Sequence, residues 1–347
     1  KISKRKRNEK MKNNNGITVI KFTILVMVVI ILGAVISICF QGISSKIDIA
    51  YKTITKKIDI LKEIEENEKL MGVTDVKGEG ITINILDGND LIHQEDLIIL
   101  IDELKNSGSQ AISVNDQRII NSTYIYCDGG VILIDGVKIG NPFTIKAIGN
   151  SETIYGALTR NKGYVETLEK SGIDIKIEKS EEITISKTNK DISSSYSSNA
   201  NKIDRLFLSN KIVGKSDYKG KGLEIIIEEN ESKLTALSFL QIVNDLNSAG
   251  AEAISINGQR ITNMTDMMDI SGIYILINSC PIKAPYIIDV IGNQEKIEST
   301  LNYNNSYITK IKSKGNNVDI YRIRNVKIDE YVQKRDQNKM LTDYLRV

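Results

Sequence analysis

One histidine in a chain of 347 residues narrows the available chemistry at once. His93 cannot by itself supply a multi-histidine metal site, and the pattern around it predicts a solvated residue just before a helix. Neither Ser113 nor Ser255 has a matched histidine, so a serine hydrolase triad has no base. Cysteine is also scarce: Cys39, Cys127 and Cys280 form no CxxC pair and fall at non-equivalent points of the chain. That spacing is no disulfide framework. Free, mostly buried thiols are expected, with a Cys127–Cys280 bridge as the alternative in an oxidising compartment. An excess of one charge is lacking too. With 46 basic and 44 acidic side chains the net charge is +2, which gives no general nucleic-acid footprint. Neither "KGEG" nor "KGKG" opens a helix with Gly-Lys-Ser/Thr, so neither is a phosphate loop. The sequence calls for no metal and no cofactor.

What the chain does have is a long apolar run. Phe22 to Phe40 reads "FTILVMVVIILGAVISICF" without a charge. At about 1.5 Å rise per residue it crosses roughly 30 Å of hydrocarbon. Ile17 to Ile20 extend it if Lys21 snorkels toward the headgroups. A cleaved signal peptide would have an apolar core of roughly 7–15 residues and a small-x-small site, and neither is found. Seven basic residues lie before the run, from Lys1 to Lys12, and place the N-terminus in the cytoplasm by the positive-inside rule. The expected topology is one span with the C-terminal part outside, in the cell membrane. Beyond it, Ile47, Tyr51, Ile54, Ile58 and Leu61 recur at alternating four- and three-residue steps. This heptad-like stripe predicts a juxtamembrane helix that either self-associates as a short coiled coil or packs on its own domain.

The remainder repeats itself. "AISVNDQRI" at Ala111 to Ile119 recurs as "AISINGQRI" at Ala253 to Ile261, and Gly80, Leu104 and Gly108 recur as Gly222, Leu246 and Gly250. "NPFTIKAIGN" at Asn141 to Asn150 matches "APYIIDVIGN" at Ala284 to Asn293. Order and spacing persist, so this is a tandem duplication. Each copy reads β-α-β-β-β-α-β. The first helix carries Leu97, Leu100, Ile101 and Leu104; its counterpart carries Leu237, Leu240, Ile242, Val243 and Leu246. Each ends near a glycine suited to a left-handed cap. Asn150 and Asn293 are N-caps of a second helix. The fold class is α+β: two tandem ferredoxin-like-type α/β sandwich domains, each with an added hairpin. The expected organisation is a basic cytoplasmic tail (1–16), a transmembrane helix (17–41), the juxtamembrane helix (42–72) and a first repeat (73–186). A polar linker (187–214), a second repeat (215–330) and a polar C-terminal tail (331–347) follow.

In the repeated motif, Asn257-Gly258 is the favoured type I′ hairpin dipeptide, and Asn115-Asp116 tolerates the same conformation less comfortably. The motif therefore predicts a β-hairpin whose arginine pairs with a carboxylate or with helix C-terminal carbonyls. The alternative is a binding site. Ser113, Gln117 and Arg118, repeated as Ser255, Gln259 and Arg260, are the candidate residues for an anionic group, with Asn257 added in copy two. Alternate strand residues point to opposite faces, which counts against Gln and Arg sharing a pocket.

"LNSAGAEAISINGQRIT" followed by "PYIIDVIGN" and "VDIYRI" resembles a bacterial family known as domain of unknown function 881. Copy one is similar through "AISVNDQRI", "GNPFTIKAIGN" and "LTRNKGYVETLEKSGIDIKI". The resemblance implies a membrane-anchored protein of Gram-positive bacteria, with genes often near cell-division and envelope genes, and no established catalytic residues. This chain departs from the usual member in having two copies, and in Asp116 where the motif has glycine. The leading expectation is an extracytoplasmic interaction or scaffold module with an unknown protein partner. A sensor of a small anionic ligand or envelope polymer comes second, and an unrecognised hydrolase third.

Overall fold

The computed structural model describes residues 2–88, 91–192, 196–270 and 272–331, and residues 2–20 by their backbone only. Two units separate, Lys1–Lys62 and Glu63–Val347. The described residues of the first unit lie within helix α1 (Ile2–Leu70), which already contains the backbone of residues 2–16 of the predicted basic tail. Among the described residues α1 is the one helix long and apolar enough to cross a membrane, and its most apolar 18-residue window is wholly unburied. Unlike a buried core helix, it shows its apolar side chains outward: Phe22, Ile36 and Phe40 are each about two-thirds exposed or more. The stripe from Ile47 to Leu61 is likewise unburied.

The second unit holds the duplicated part. Copy one runs β1 (Val76–Leu86), α2 (Gln94–Asn106), β2 (Ala111–Val114), β3 (Gln117–Arg118), β4 (Ile125–Asp128), β5 (Val131–Ile134), β6 (Val137–Ile139), β7 (Phe143–Ile148), α3 (Ser151–Leu158), α4 (Tyr164–Lys170) and β8 (Asp174–Ile185). After α5 (Lys202–Val213), copy two repeats the order. It runs β9 (Tyr218–Glu228), α6 (Ala236–Ser248), β10 (Ala253–Ile256), β11 (Gln259–Arg260), β12 (Met267–Ile270), β13 (Tyr274–Ile277), β14 (Cys280–Ile282), β15 (Tyr286–Ile291), α7 (Gln294–Leu301), α8 (Tyr307–Ser313) and β16 (Asn317–Ile328). The main sheets are β3-β2-β7-β1-β8 and β11-β10-β15-β9-β16, antiparallel throughout. Omitting the two-residue strands, each sheet has the second-third-first-fourth order of a ferredoxin-like domain. Two tandem α/β domains are thus what the chain forms.

Each copy carries more elements than the expected β-α-β-β-β-α-β. A separate meander, β4-β5-β6 or β12-β13-β14, is inserted before the third long strand. The second helix is split, because Lys162 adopts a positive φ of 59° and Gly163 begins a new helix in copy one. In copy two Ser306 recaps α8 by accepting from the Thr309 N–H.

Local rules explain the parts that agree. Ile81, Ile83 and Ile85 alternate onto one face of β1 and meet Leu97, Leu100 and Leu104 of α2 in a core that also takes in α3 and the meander. Asn150 and Asn293 accept from the N–H groups of Thr153 and Lys296 as N-caps. Gly80 and Gly222 sit where strands approach closely: a Cβ there would meet the carbonyl oxygens of Ala147 at 2.0 Å and Val290 at 1.8 Å.

Three expectations need correction. Part of the 187–214 stretch, expected to be a polar linker, is helix α5. Asn201 caps it by accepting from Ile203 and Asp204 N–H, and Gly214 ends it at φ 84°. Its half-buried Leu206, Leu208 and Ile212 outweigh the Ser/Asn-rich composition around it. The stripe assigned to α6 mixes two faces: Phe239, Ile242 and Leu246 enter the core, whereas Leu240 and Val243 turn toward copy one. All three cysteines are free, but Cys39 and Cys127 are exposed and only Cys280 is buried. The predicted tail beyond 331 and Ser193 to Ser195 of the linker lie outside the described residues.

Candidate functional site

The repeated motif forms a hairpin in both copies. Asn115 and Asp116 take φ values of 45° and 61°, and Asn257 and Gly258 take 46° and 77°, so both turns are of the expected type. Ser113 faces Arg118 across the strands, and Ser255 faces Arg260. These four side chains are all 2% exposed. Gln117 and Gln259, one residue before each arginine, are half-buried and belong to the other face. Asn257 is spoken for by the strand beside it: it accepts from Ile287 N–H at 2.8 Å and donates to Lys283 O at 2.9 Å. The seven candidate residues therefore do not converge on one pocket.

The arginines serve the helix before each copy. Arg118 Nη2 donates to the Lys69 carbonyl at the end of α1 (3.0 Å), and Arg260 Nη2 donates to the Lys211 carbonyl at the end of α5 (3.2 Å). A cation there meets the negative end of the helix dipole and satisfies a carbonyl that has no partner within the helix. Burial pulls each guanidinium down to about 10, so both remain charged at neutral pH. Nε and Nη1 of each are buried without a partner.

The two copies meet as near-equivalents. Asp102 on α2 accepts from Met267 N–H of copy two at 3.1 Å. Its counterpart Asn244 on α6 accepts from Ile125 N–H of copy one at 2.7 Å and donates to Ile125 O at 2.8 Å. Asn247 adds bonds to the carbonyls of Asn121 and Thr123. Farther along, Asn67 at the end of α1 donates to Ser209 Oγ on α5 at 3.0 Å, and Glu68 holds Arg205 and Tyr196. Such reciprocity is what a two-fold dimer interface shows; here it lies within one chain. A small space of about 80 Å³ remains between α2 and α6, bordered by Ile98, Ile101, Leu240 and Val243. Burial raises Asp102 to about 7, against the opposing pull of Lys105.

A second, larger cavity of about 650 Å³ opens between the α1 and α5 ends, the Ile120–Tyr124 loop of copy one, residues 190–192, and the Asn247–Glu252 and Thr262–Met264 segments of copy two. Its apolar lining includes Met71, Leu208, Ile212 and Met264, and its polar lining includes Lys190, Asp191, Lys211, Tyr218, Glu252 and Lys296. Lys190 is paired with Asp135 at 2.7 Å. Lys211 Nζ lies 3.6 Å from the Tyr218 ring centroid, and the Tyr218 hydroxyl donates to Glu252 at 2.5 Å. None of the residues singled out from the repeated motif lines this cavity. Comparing the copies points to it: where copy two has Tyr218 and Glu252, copy one has Val76 and Gln110. Among the described residues no group of three His, Cys, Asp or Glu side chains is placed to hold a metal ion.

The sequence matches the family of bacterial proteins of unknown function DUF881 twice, over residues 63–198 and 206–341. The two matches cover most of the chain, which belongs to that family as a tandem member. It is similar to the UPF0749 proteins YlxW and YlxX of Bacillus subtilis, 28% identical over 135 residues and 27% over 140, and to the UPF0749 protein Mb1856 of Mycobacterium bovis, 25% over 120. Those alignments take in 36%, 38% and 33% of this chain and span 58%, 60% and 41% of the relatives' lengths. A crystal structure of an uncharacterized conserved protein from Mycobacterium tuberculosis aligns with 40% of this chain and 97% of its own, at 22% identity and a TM-score of 0.36.

Proposed function

We propose that this tandem family member is a single-pass membrane-anchored interaction module of the bacterial cell envelope, with the N-terminus in the cytoplasm and both α/β copies outside. A role as a scaffold, without catalysis, fits the poverty in histidine. The observation that carries the reading is the outward apolar surface of α1. The run from Phe22 to Phe40 and the stripe Ile47, Tyr51, Ile54, Ile58 and Leu61 are unburied, and water is a poor solvent for both. A bilayer suits the first, and a second copy of the stripe suits the second. The Phe22–Phe40 run is preceded by basic residues, which sets the proposed orientation.

Fusions test the topology. Alkaline phosphatase joined after Gly42 is expected to be active and a cytoplasmic reporter silent; the reverse pattern overturns the placement. For self-association, Ile54→Cys and Ile58→Cys chains, with Cys39 and Cys127 replaced by serine, are expected to cross-link in native membranes. An Asp59→Cys control on the polar side is expected to cross-link less. Equal yields at all three positions overturn the stripe as the contact. The earlier alternative, Arg118 and Arg260 as ligand contacts, loses support because both are buried against helix carbonyls.

A further inference from the structure

We propose that the cavity of about 650 Å³ between the two copies binds one small amphiphile, an anionic group carried on a short apolar body. The size is within the roughly 300–1,000 Å³ usual for small-molecule sites, and such sites favour boundaries between domains. The lining is divided in a way that suits this ligand class. Met71, Leu208, Ile212 and Met264 offer apolar surface, much of it contributed by the ends of α1 and α5. Lys211 and Lys296 offer positive charge, and among the described residues neither is in an ion pair.

The local electrostatics favour an anion at that end. Lys211 Nζ stands 3.6 Å from the Tyr218 ring centroid and Arg260 Cζ 5.6 Å from the same centroid, so two cations share one aromatic ring. The nearby carboxylate, Glu252, accepts from the Tyr218 hydroxyl, and Lys211 and Lys296 together outnumber it in the lining. Arg260 does not itself line the cavity, and Asp217 offsets part of its charge, so Lys211 and Lys296 are the cations a ligand would meet. Lys190 is neutralised by Asp135, and Asp191 borders the cavity on the copy-one side, so the positive end is at copy two. Copy one has no equivalent arrangement: Lys69 there is bonded to Glu65, and Val76 replaces the tyrosine. The duplication therefore supports one site per chain, not two.

The test uses the full chain in phosphatidylcholine nanodiscs, with hexyl phosphate as the probe and empty discs as the blank. Titration calorimetry is expected to show saturable binding of one probe per chain. Hexanol and inorganic phosphate, each carrying half of the chemistry, are expected to bind at least about tenfold more weakly. The K211Q/K296Q double variant is expected to lose about tenfold in affinity, the usual scale for a charge-assisted contact. Ser248→Trp, which fills the cavity from α6, is expected to abolish binding; the lysine variants, on half-buried and exposed positions, stand if that one fails to fold. The proposal is overturned if hexyl phosphate binds no better to the protein than to empty discs. It is also overturned if two equivalents bind, if either half-probe binds as well as the whole, or if the double lysine variant binds unchanged. None of these results bears on the membrane topology or on self-association through α1.

Discussion

Asn67 and Ser209, 142 residues apart, are equivalent positions of the duplication, and their side chains hydrogen-bond to each other at 3.0 Å. A residue that touches its own equivalent lies on the approximate two-fold axis relating the copies. The helix end before copy one and the helix before copy two are therefore parts of the repeat, and the axis passes between them. Asn67 is fully buried and also donates to Asn210 at 2.6 Å. Asn67→Ala is expected to destabilise the second unit by about 1–3 kcal/mol, since it removes both bonds at a buried site. Ser209→Ala, which leaves the Asn210 bond, is expected to cost less. Urea unfolding of the full chain followed by circular dichroism measures both, and equal or negligible effects would remove Asn67 from the pairing of the copies.

Arg260 should matter for α5 in particular. Arg260→Ala removes the bond to the Lys211 carbonyl and leaves a void under Gly214, with an expected loss of roughly 2–4 kcal/mol. Hydrogen exchange is expected to quicken over residues 208–215 before it does in β9. Uniform quickening across copy two would assign Arg260 to the core as a whole.

Asp102 makes stability depend on pH. Burial lifts its carboxyl from 3.8 to about 7, so the folded chain holds a proton that the unfolded chain releases near pH 4. Its contribution is present below the unfolded value and is lost as pH rises from about 4 through 7. Asp102→Asn, which installs the residue copy two carries at the equivalent Asn244, is expected to flatten that decline. The gain at pH 8 is expected to be on the order of 1–3 kcal/mol. Unfolding midpoints at pH 5 and pH 8 check it; a variant as pH-sensitive as the parent would contradict the assignment.

The turn at Asp116 carries avoidable strain. Its φ of 61° is unfavourable for a residue with a Cβ, while Gly258 occupies the same place in copy two at 77°. Asp116→Gly is expected to stabilise copy one by about 0.5–1 kcal/mol. The ion pair it forfeits with Lys146 is on a carboxylate 79% exposed and contributes little. Gly258→Asp should have the opposite sign, and thermal unfolding of the two variants compares them.

Much of the fold was legible because short-range physics decides it. The hairpin turns needed positive φ at adjacent residues, and Asn257-Gly258 declares that within two positions. The alternation of Ile81, Ile83 and Ile85 and the asparagine caps are equally local. Helix α5 was less legible because its Ser- and Asn-rich flank masked Asn201 as a cap and Gly214 as a stop. The apolar positions of α6 were visible, but a helix with two buried faces gives one broad stripe. Only the arrival of copy one separates Phe239, which faces the sheet, from Leu240 and Val243, which face α2.

The sequence by itself determined the long apolar run, the duplication, the order of the principal elements and the turn chemistry, since each is written in residues close along the chain. The tertiary structure decided what the repeated arginines do and where a ligand could sit. Arg118 and Lys69 are 49 residues apart, as are Arg260 and Lys211, and nothing in the hairpin reveals which carbonyl each reaches. The cavity is assembled from both copies and from the helix between them. Its chemistry exists only once the two-fold pairing brings those distant side chains within a few ångströms.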